Sequence, residues 1–236
     1  MEHTAMNTQK FKIVIDILLT AALLLLMPYE LVGEAAHEWI GAGMFVILII
    51  HHILNRRWTS HTGKGKYTPI RIIQTVLVCL LVICILGSMV SGILLSRHIF
   101  SFVNITGVSA TAGIVHMTCA YWGFVLMSLH LGIHWRVIMS AAGKQFSKPN
   151  QRKDGHMRTR ILGILGTATA IYGGYAFVKR NIEGYLFLQT HFVFFDYSEP
   201  VVFYIIDYMT TMGLLIFLGY YMEKGLQSIY RKVHTR

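Results

Sequence analysis

Apolar and polar positions alternate in long blocks along this chain. Six apolar runs stand out, at about Phe11–Met27, His37–Leu54, Ile70–Leu95, Ala112–Trp135, Ile161–Phe177 and Val201–Tyr221. Each falls near the length, about 17–25 residues, that an α-helix needs to cross a bilayer. Polar segments separate the runs. The pattern therefore predicts an all-α polytopic membrane protein with six transmembrane helices. The polar turn Pro28–Ala36 is short, so the first two spans are expected as an antiparallel hairpin. No small-residue cleavage site follows the first run, and Met27-Pro28-Tyr29 leads straight into the second. The first run therefore reads as a span and not as a cleaved signal peptide.

Within this pattern, the second and fourth runs match each other. Counted from their first histidines, His37 meets His116, Phe45 meets Phe124, His51 meets His130, Asn55 meets His134 and Arg57 meets Arg136. Fourteen positions separate the two histidines of each pair. In an α-helix that is a rise of roughly 21 Å with a return to within about 40° of the same face. Two such helices facing each other hold two imidazole pairs, stacked across the bilayer. Imidazoles in hydrocarbon need partners, and a haem iron between two neutral imidazoles supplies one. With both axial positions filled, such an iron suits electron transfer and not oxygen or substrate binding. The reading is a four-helix di-haem core with His37 and His116 on one haem iron and His51 and His130 on the other.

Three histidines compete for these places. His52 lies fifteen positions from His37, about 60° off the face, and the match to His130 favours His51. His134 shares the His116 face after five turns, but at roughly 27 Å of rise it reaches the edge of the apolar layer. It is read as a propionate or supporting contact. His98, in Ser96-Arg97-His98-Ile99-Phe100, is the reserve ligand at the His37 end. Arg97 beside it is either a partner for a haem propionate or an interfacial anchor.

Composition sharpens the class. The chain is 54% hydrophobic and 14% charged, with mean hydropathy +0.53, too apolar for a soluble domain of this size. The net charge of +10 would suit nucleic acid, but its distribution does not. All 21 Lys and Arg residues except Arg97, Lys179 and Arg180 fall in Lys10–Lys12, Arg56–Arg71, Arg136–Arg160 and Lys224–Arg236. Alternation of basic and acidic connections is the positive-inside pattern. It predicts cytoplasmic termini, a bilayer as the partner, and no nucleic acid. The three cysteines, Cys79, Cys84 and Cys119, form no CxxC or CxxCH. They exclude a disulfide framework, a zinc ribbon and covalent c-type haem.

The other candidates are single residues. Asp16 and Asp207 are acids inside apolar runs and so count as functional candidates. Lys12 precedes Asp16 by one helical turn, so an ion pair between them is expected. Asp207 is read as a proton relay or as a partner of a neighbouring tyrosine. The aromatic stretch Tyr185–Tyr197 is expected to lie as a helix at headgroup depth, or to form a lid or docking surface over the nearer haem. His37-Glu38-Trp39-Ile40-Gly41 is not HExxH, which argues against a zincin. His130–His134 has the HxxxH spacing of di-iron hydroxylases but stands alone. A proton-coupled transporter using Asp16, Asp207 and the histidines without haem is the competing reading, though broken helices are not apparent.

His-Glu-Trp-Ile-Gly at 37–41, His-His-Ile-Leu-Asn-Arg-Arg-Trp at 51–58, Ser-Arg-His-Ile-Phe at 96–100 and His-Leu-Gly-Ile-His-Trp at 130–135 resemble the flavinylation-associated cytochromes. These belong to the wider set of prokaryotic di-haem cytochrome b membrane subunits. The resemblance covers about residues 11–136, and Phe194-Phe195-Asp196 with Glu199-Pro200 is similar to longer members with two extra spans. It implies a bacterial plasma-membrane protein with two haems b, passing electrons between a quinone pool or cytoplasmic donor and an extracytoplasmic flavoprotein that bears FMN. By this division, residues 1–140 form the di-haem core, 141–160 a basic cytoplasmic loop, and 161–236 an additional two-helix hairpin. No catalytic residue is expected beyond quinone redox.

Overall fold

A computed structural model describes residues 2–65, 67–103, 105, 107–146, 155–190, 192–193, 195–196 and 198–234. Among them there are helices and no strand. In chain order the helices are α1 (Glu2–Leu26), α2 (Tyr29–Val32), α3 (Glu34–Leu54), α4 (Arg56–His61), α5 (Pro69–Leu95), α6 (Ser109–Ile133), α7 (Trp135–Phe146), α8 (Gly155–Lys179), α9 (Ile182–Leu186) and α10 (Val201–His234). Among the described residues, five helices are long and apolar enough to cross a membrane: α3, α5, α6, α8 from Arg160, and α10 up to Lys232. The architecture is that of an α-helical membrane protein.

Helix α1 is not among the five. Lys10, Lys12 and Asp16 interrupt its apolar surface, leaving an uncharged run only from Ile17 to Leu26. Helices α3, α5 and α6 begin and end within three residues of the hydropathy boundaries, whereas α8 starts earlier, at Gly155, and α10 runs on to His234. Pro69 takes the first turn of α5, where its missing N–H costs nothing. Gly33 joins α2 to α3 with φ +90°, a backbone setting that a side chain would strain. The expected basic loop at 141–160 is partly helical, with α7 running to Phe146 and α8 starting at Gly155. Residues 147–154 lie outside the described residues.

Outward-facing apolar side chains mark the lipid-facing surface. Ile72, Val76, Leu80, Ile83, Leu86 and Val90 recur at helical spacing along α5 and are all exposed. An apolar stripe of that length facing water would be a liability, whereas facing acyl chains it is ordinary.

The chain divides into two compact units: Met1–Lys66 with Cys84–Ala120 and Leu188–Ile205, and Tyr67–Ile83 with Tyr121–Phe187 and Ile206–Arg236. In the first, Ile15, Leu19 and Leu23 form a buried stripe at four-residue spacing on α1, continued by Met27 in the turn after it, and α1 packs along α3. This is the expected hairpin, with α2 in its turn. In the second, Tyr121, Phe124 and Ser128 of α6 and Tyr208, Thr211 and Leu215 of α10 are buried. The Tyr121 and Tyr208 hydroxyls lie 3.2 Å apart, and Phe124 sits edge-on to Tyr208.

Glycines let the second unit's helices close up. A Cβ on Gly219 would lie 2.6 Å from the Leu129 carbonyl oxygen and 3.2 Å from Gly132 Cα, so α6 and α10 cross backbone to backbone. Gly173 of α8 does the same against Thr210 of α10. Close backbone approach through small residues is how helices gain packing energy where lipid supplies no hydrophobic drive. Gly219→Leu is expected to destabilise the protein by about 1–3 kcal/mol through overpacking. Gly174→Ala, with nothing within 4 Å, should leave thermal unfolding in detergent close to wild type.

Candidate functional site

The first unit brings together two of the histidines that the sequence singles out. His37 stands one turn into α3 and His116 two turns into α6, and their ring centroids lie 6.0 Å apart at an interplanar angle of 66°. Both rings are half-buried. The Nδ1 atom of His116 is 3.0 Å from the Ser88 carbonyl oxygen and 3.2 Å from Ser91 Oγ. A carbonyl only accepts, so Nδ1 carries the proton. Ser91 Oγ donates its own hydrogen to the Gly87 carbonyl. In the neutral ring Nε2 is then the free lone pair, the tautomer required of a metal ligand. Gly92 lets α5 pass this ring, since a Cβ there would sit 3.3 Å from His116 Cε1. His37 Nδ1 is buried without a hydrogen-bond partner, which is unusual for a polar atom in a protein interior.

The ring spacing can be tested against a metal. With each nitrogen about 2.0–2.1 Å from the ion, as imidazoles bind zinc, two rings on opposite sides place their centroids roughly 6 Å apart. The His37–His116 pair fits that spacing. Histidine–metal–histidine binding also suits the one fixed tautomer and the one unpartnered ring nitrogen.

Glu38, next to His37, anchors this end of α3. Its carboxylate accepts from Ser96 Oγ at 2.6 Å and from the backbone N–H groups of Arg97 at 2.8 Å, Ile99 at 2.8 Å and, at 3.2 and 3.3 Å to its two oxygens, His98. Ser96 Oγ in turn accepts from Phe100 N–H. The loop after α5 is thereby tied to the helix that carries His37. Arg97 and His98 are both exposed, and Arg97 Nε faces Glu34 at 3.5 Å. Donor atoms of Glu34, Glu38 and His98 lie within 4.8 Å of one another, but Glu38 already accepts from Ser96 Oγ and the backbone N–H groups of Arg97, His98 and Ile99.

Aromatic rings continue outward from the histidine pair. Tyr29 is edge-on to His37 with centroids 5.8 Å apart, Phe195 is edge-on to Tyr29 at 5.7 Å, and Tyr204 stacks on Phe195 at 5.4 Å. The segment expected as an interfacial helix at Tyr185–Tyr197 is helical only in α9. Beyond Leu186 it is irregular, because Leu188 takes φ +56° and a left-handed residue cannot continue a right-handed helix. His191, Phe194 and Tyr197 lie outside the described residues. Asp196 accepts from the hydroxyl and backbone N–H of Ser198, which hold its carboxyl below the usual range.

The other sequence candidates sit elsewhere. His51 is in the first unit and His130 in the second. His51 Nδ1 lies 2.8 Å from Asp16 Oδ1, so it donates to the carboxylate. Asn55 Nδ2 approaches His51 Nε2 at 3.4 Å. The expected Lys12–Asp16 pair does not form. Lys12 Nζ donates to Asn55 Oδ1 at 3.1 Å, and Asp16 turns to the imidazole of α3. His52 is exposed, its Nδ1 3.1 Å from the Leu48 carbonyl of its own helix. His130 and His134 have ring centroids 4.7 Å apart, and His134 occupies the break between α6 and α7. Asp207 is fully buried and does find a tyrosine, Tyr172 at 2.9 Å. It also accepts from Lys179 at 2.9 Å and Arg180 Nε at 2.8 Å, partners that the sequence reading missed.

Comparison of the chain with family models, with curated proteins and with solved structures finds no match.

Three substitutions report on these anchors. Glu38→Gln puts an amide NH2 against backbone donors and is expected to cost about 1–3 kcal/mol, read by thermal unfolding in detergent. Asp207→Asn leaves two cations without their buried counter-charge and should cost about 3–5 kcal/mol. Tyr172→Phe should cost about 0.5–1.5 kcal/mol in the same assay.

Proposed function

We propose that the protein carries electrons across a bilayer through two bis-histidine b-type haems. The observation that carries this reading is the His37–His116 pair, two rings 6.0 Å apart on separate helices, with His116 held by Ser88 so that Nε2 is free. A haem bound between them would supply reversible one-electron chemistry. The chain's own residues do the rest. Ser88 and Ser91 hold the His116 proton on Nδ1. Glu38 fixes the start of α3. Tyr29 packs edge-on against His37 and is itself backed by Phe195.

The second haem, on His51 and His130, rests on the sequence repeat. Asp16 gives His51 the carboxylate partner that orients metal-binding imidazoles, and the same bond shelters the acid that α1 would carry as a sixth span. With six spans and the positive-inside charge pattern, both termini are cytoplasmic, in a bacterial plasma membrane. His37 and His116 then face outward. The donor is a quinone pool or a cytoplasmic reductant, and the acceptor an extracytoplasmic flavoprotein bearing FMN. The transporter alternative is less favoured, because Asp207 is tied by three donors and is poorly placed to exchange protons.

A reduced-minus-oxidised spectrum of the purified protein should show a b-type cytochrome, with a pyridine haemochrome ratio near two per chain. His37→Ala and His116→Ala should each remove one haem, and the double variant should lose no more than either single one. A colourless wild-type protein would sink the proposal, and additive losses would sink the pairing.

A further inference from the structure

Beyond the glycine crossing of α6 and α10, the second unit opens into a cleft of about 490 Å³. Arg136, Tyr220, Lys224, Gln227, Arg231 and Lys232 are among its lining residues. Four of them are cations. Arg136 begins one turn after Gly132, and Tyr220 follows Gly219 directly. Helix α6 ends at Ile133, just past the glycine crossing, and the basic side chains begin there. Arg136 is oriented within the cleft, since Nη1 donates to Gln227 Oε1 at 2.8 Å and Gln227 donates in turn to Glu223. Glu223 is buried, with Arg136 Nη1 3.9 Å from its Oε1. Among the described lining residues the charged ones are all cations, so the lining is positive.

The cleft's level along the chain is set by helix length. Helix α10 has 34 residues, a rise of about 51 Å against a hydrocarbon layer of roughly 30 Å. From Val201, about 20 residues of span end near Tyr220 and Tyr221, aromatic residues of the kind that mark the interface. Lys224, Arg231 and Lys232 lie beyond it. Helix α7, which opens with Trp135 and Arg136, follows α6 at the same boundary.

We propose that this cleft is a binding site for the phosphate of an anionic phospholipid headgroup. Arg136 and Lys224 would take the phosphate oxygens, with Arg136 as the pre-oriented fork. Arg231 and Lys232 would add long-range attraction, and the acyl chains would lie along the exposed apolar surface of α10, Leu218 and Met222 included. The site does not depend on the haem reading.

Native mass spectrometry of the full-length protein in mild detergent, with phosphatidylglycerol or phosphatidylcholine added, tests it. Wild type should retain phosphatidylglycerol preferentially. Arg136→Gln/Lys224→Gln should lose about fivefold of that preference per cation removed, the factor expected of one basic residue at an anionic surface. Arg231→Gln/Lys232→Gln, on the exposed end of α10, serves as a second variant if the first fails to fold, and should weaken the preference in the same direction. Arg56→Gln/Arg57→Gln, equally basic but outside the cleft, should match wild type. Equal loss in that control, or no preference in wild type, overturns the proposal. Thermal protection by free inorganic pyrophosphate without discrimination between the lipids overturns the lipid as the phosphate's source.

Discussion

Polar groups carried into hydrocarbon must be satisfied by the chain itself, because lipid offers no hydrogen bonds. That constraint accounts for most of the polar architecture of this protein. Asp207 lies fully buried and collects a tyrosine, a lysine and an arginine. Asp16 turns to His51. Ser91, Thr20, Thr75, Thr118, Ser128 and Thr210 return their hydroxyls to carbonyls one turn back in their own helices, a local solution available to any buried hydroxyl. Against this background the buried His37 Nδ1, which has no such partner, is conspicuous, and it belongs to the ring that faces His116.

Hydropathy made the long helices legible in the sequence, because a bilayer-length apolar run has few alternatives to a helix. The ends were less legible. Helix α3 starts at Glu34 rather than His37, and α10 runs on to His234, since polar residues beyond the apolar layer can stay helical without announcing it. The nearness of His37 to His116 could be read from the fourteen-residue repeat, because helical geometry converts sequence spacing into level and face.

What escaped the sequence was tertiary. Ser88 and Ser91 look like ordinary small residues on an apolar helix until α6 places an imidazole against them. The Lys12–Asp16 pair was suggested by helical adjacency, yet each residue found a partner on the neighbouring helix region, Asn55 and His51. The two cations on Asp207 stand 27 and 28 residues away along the chain, a separation at which local pattern carries no information. The aromatic stretch after α9 failed as a helix because composition does not reveal a single left-handed residue such as Leu188.

The carboxylate of Glu38 has a geometric effect on its neighbour. Adjacent residues on an α-helix project about 100° apart around the axis. With Glu38 held in one direction by the loop at Ser96–Ile99, the first turn of α3 cannot rotate freely. The azimuth of His37 is thereby indexed to a loop bonded to its neighbour. The loop functions as a detent: it sets the angle from which one imidazole meets the other, and a shift in the loop would be transmitted to that angle through a single backbone step.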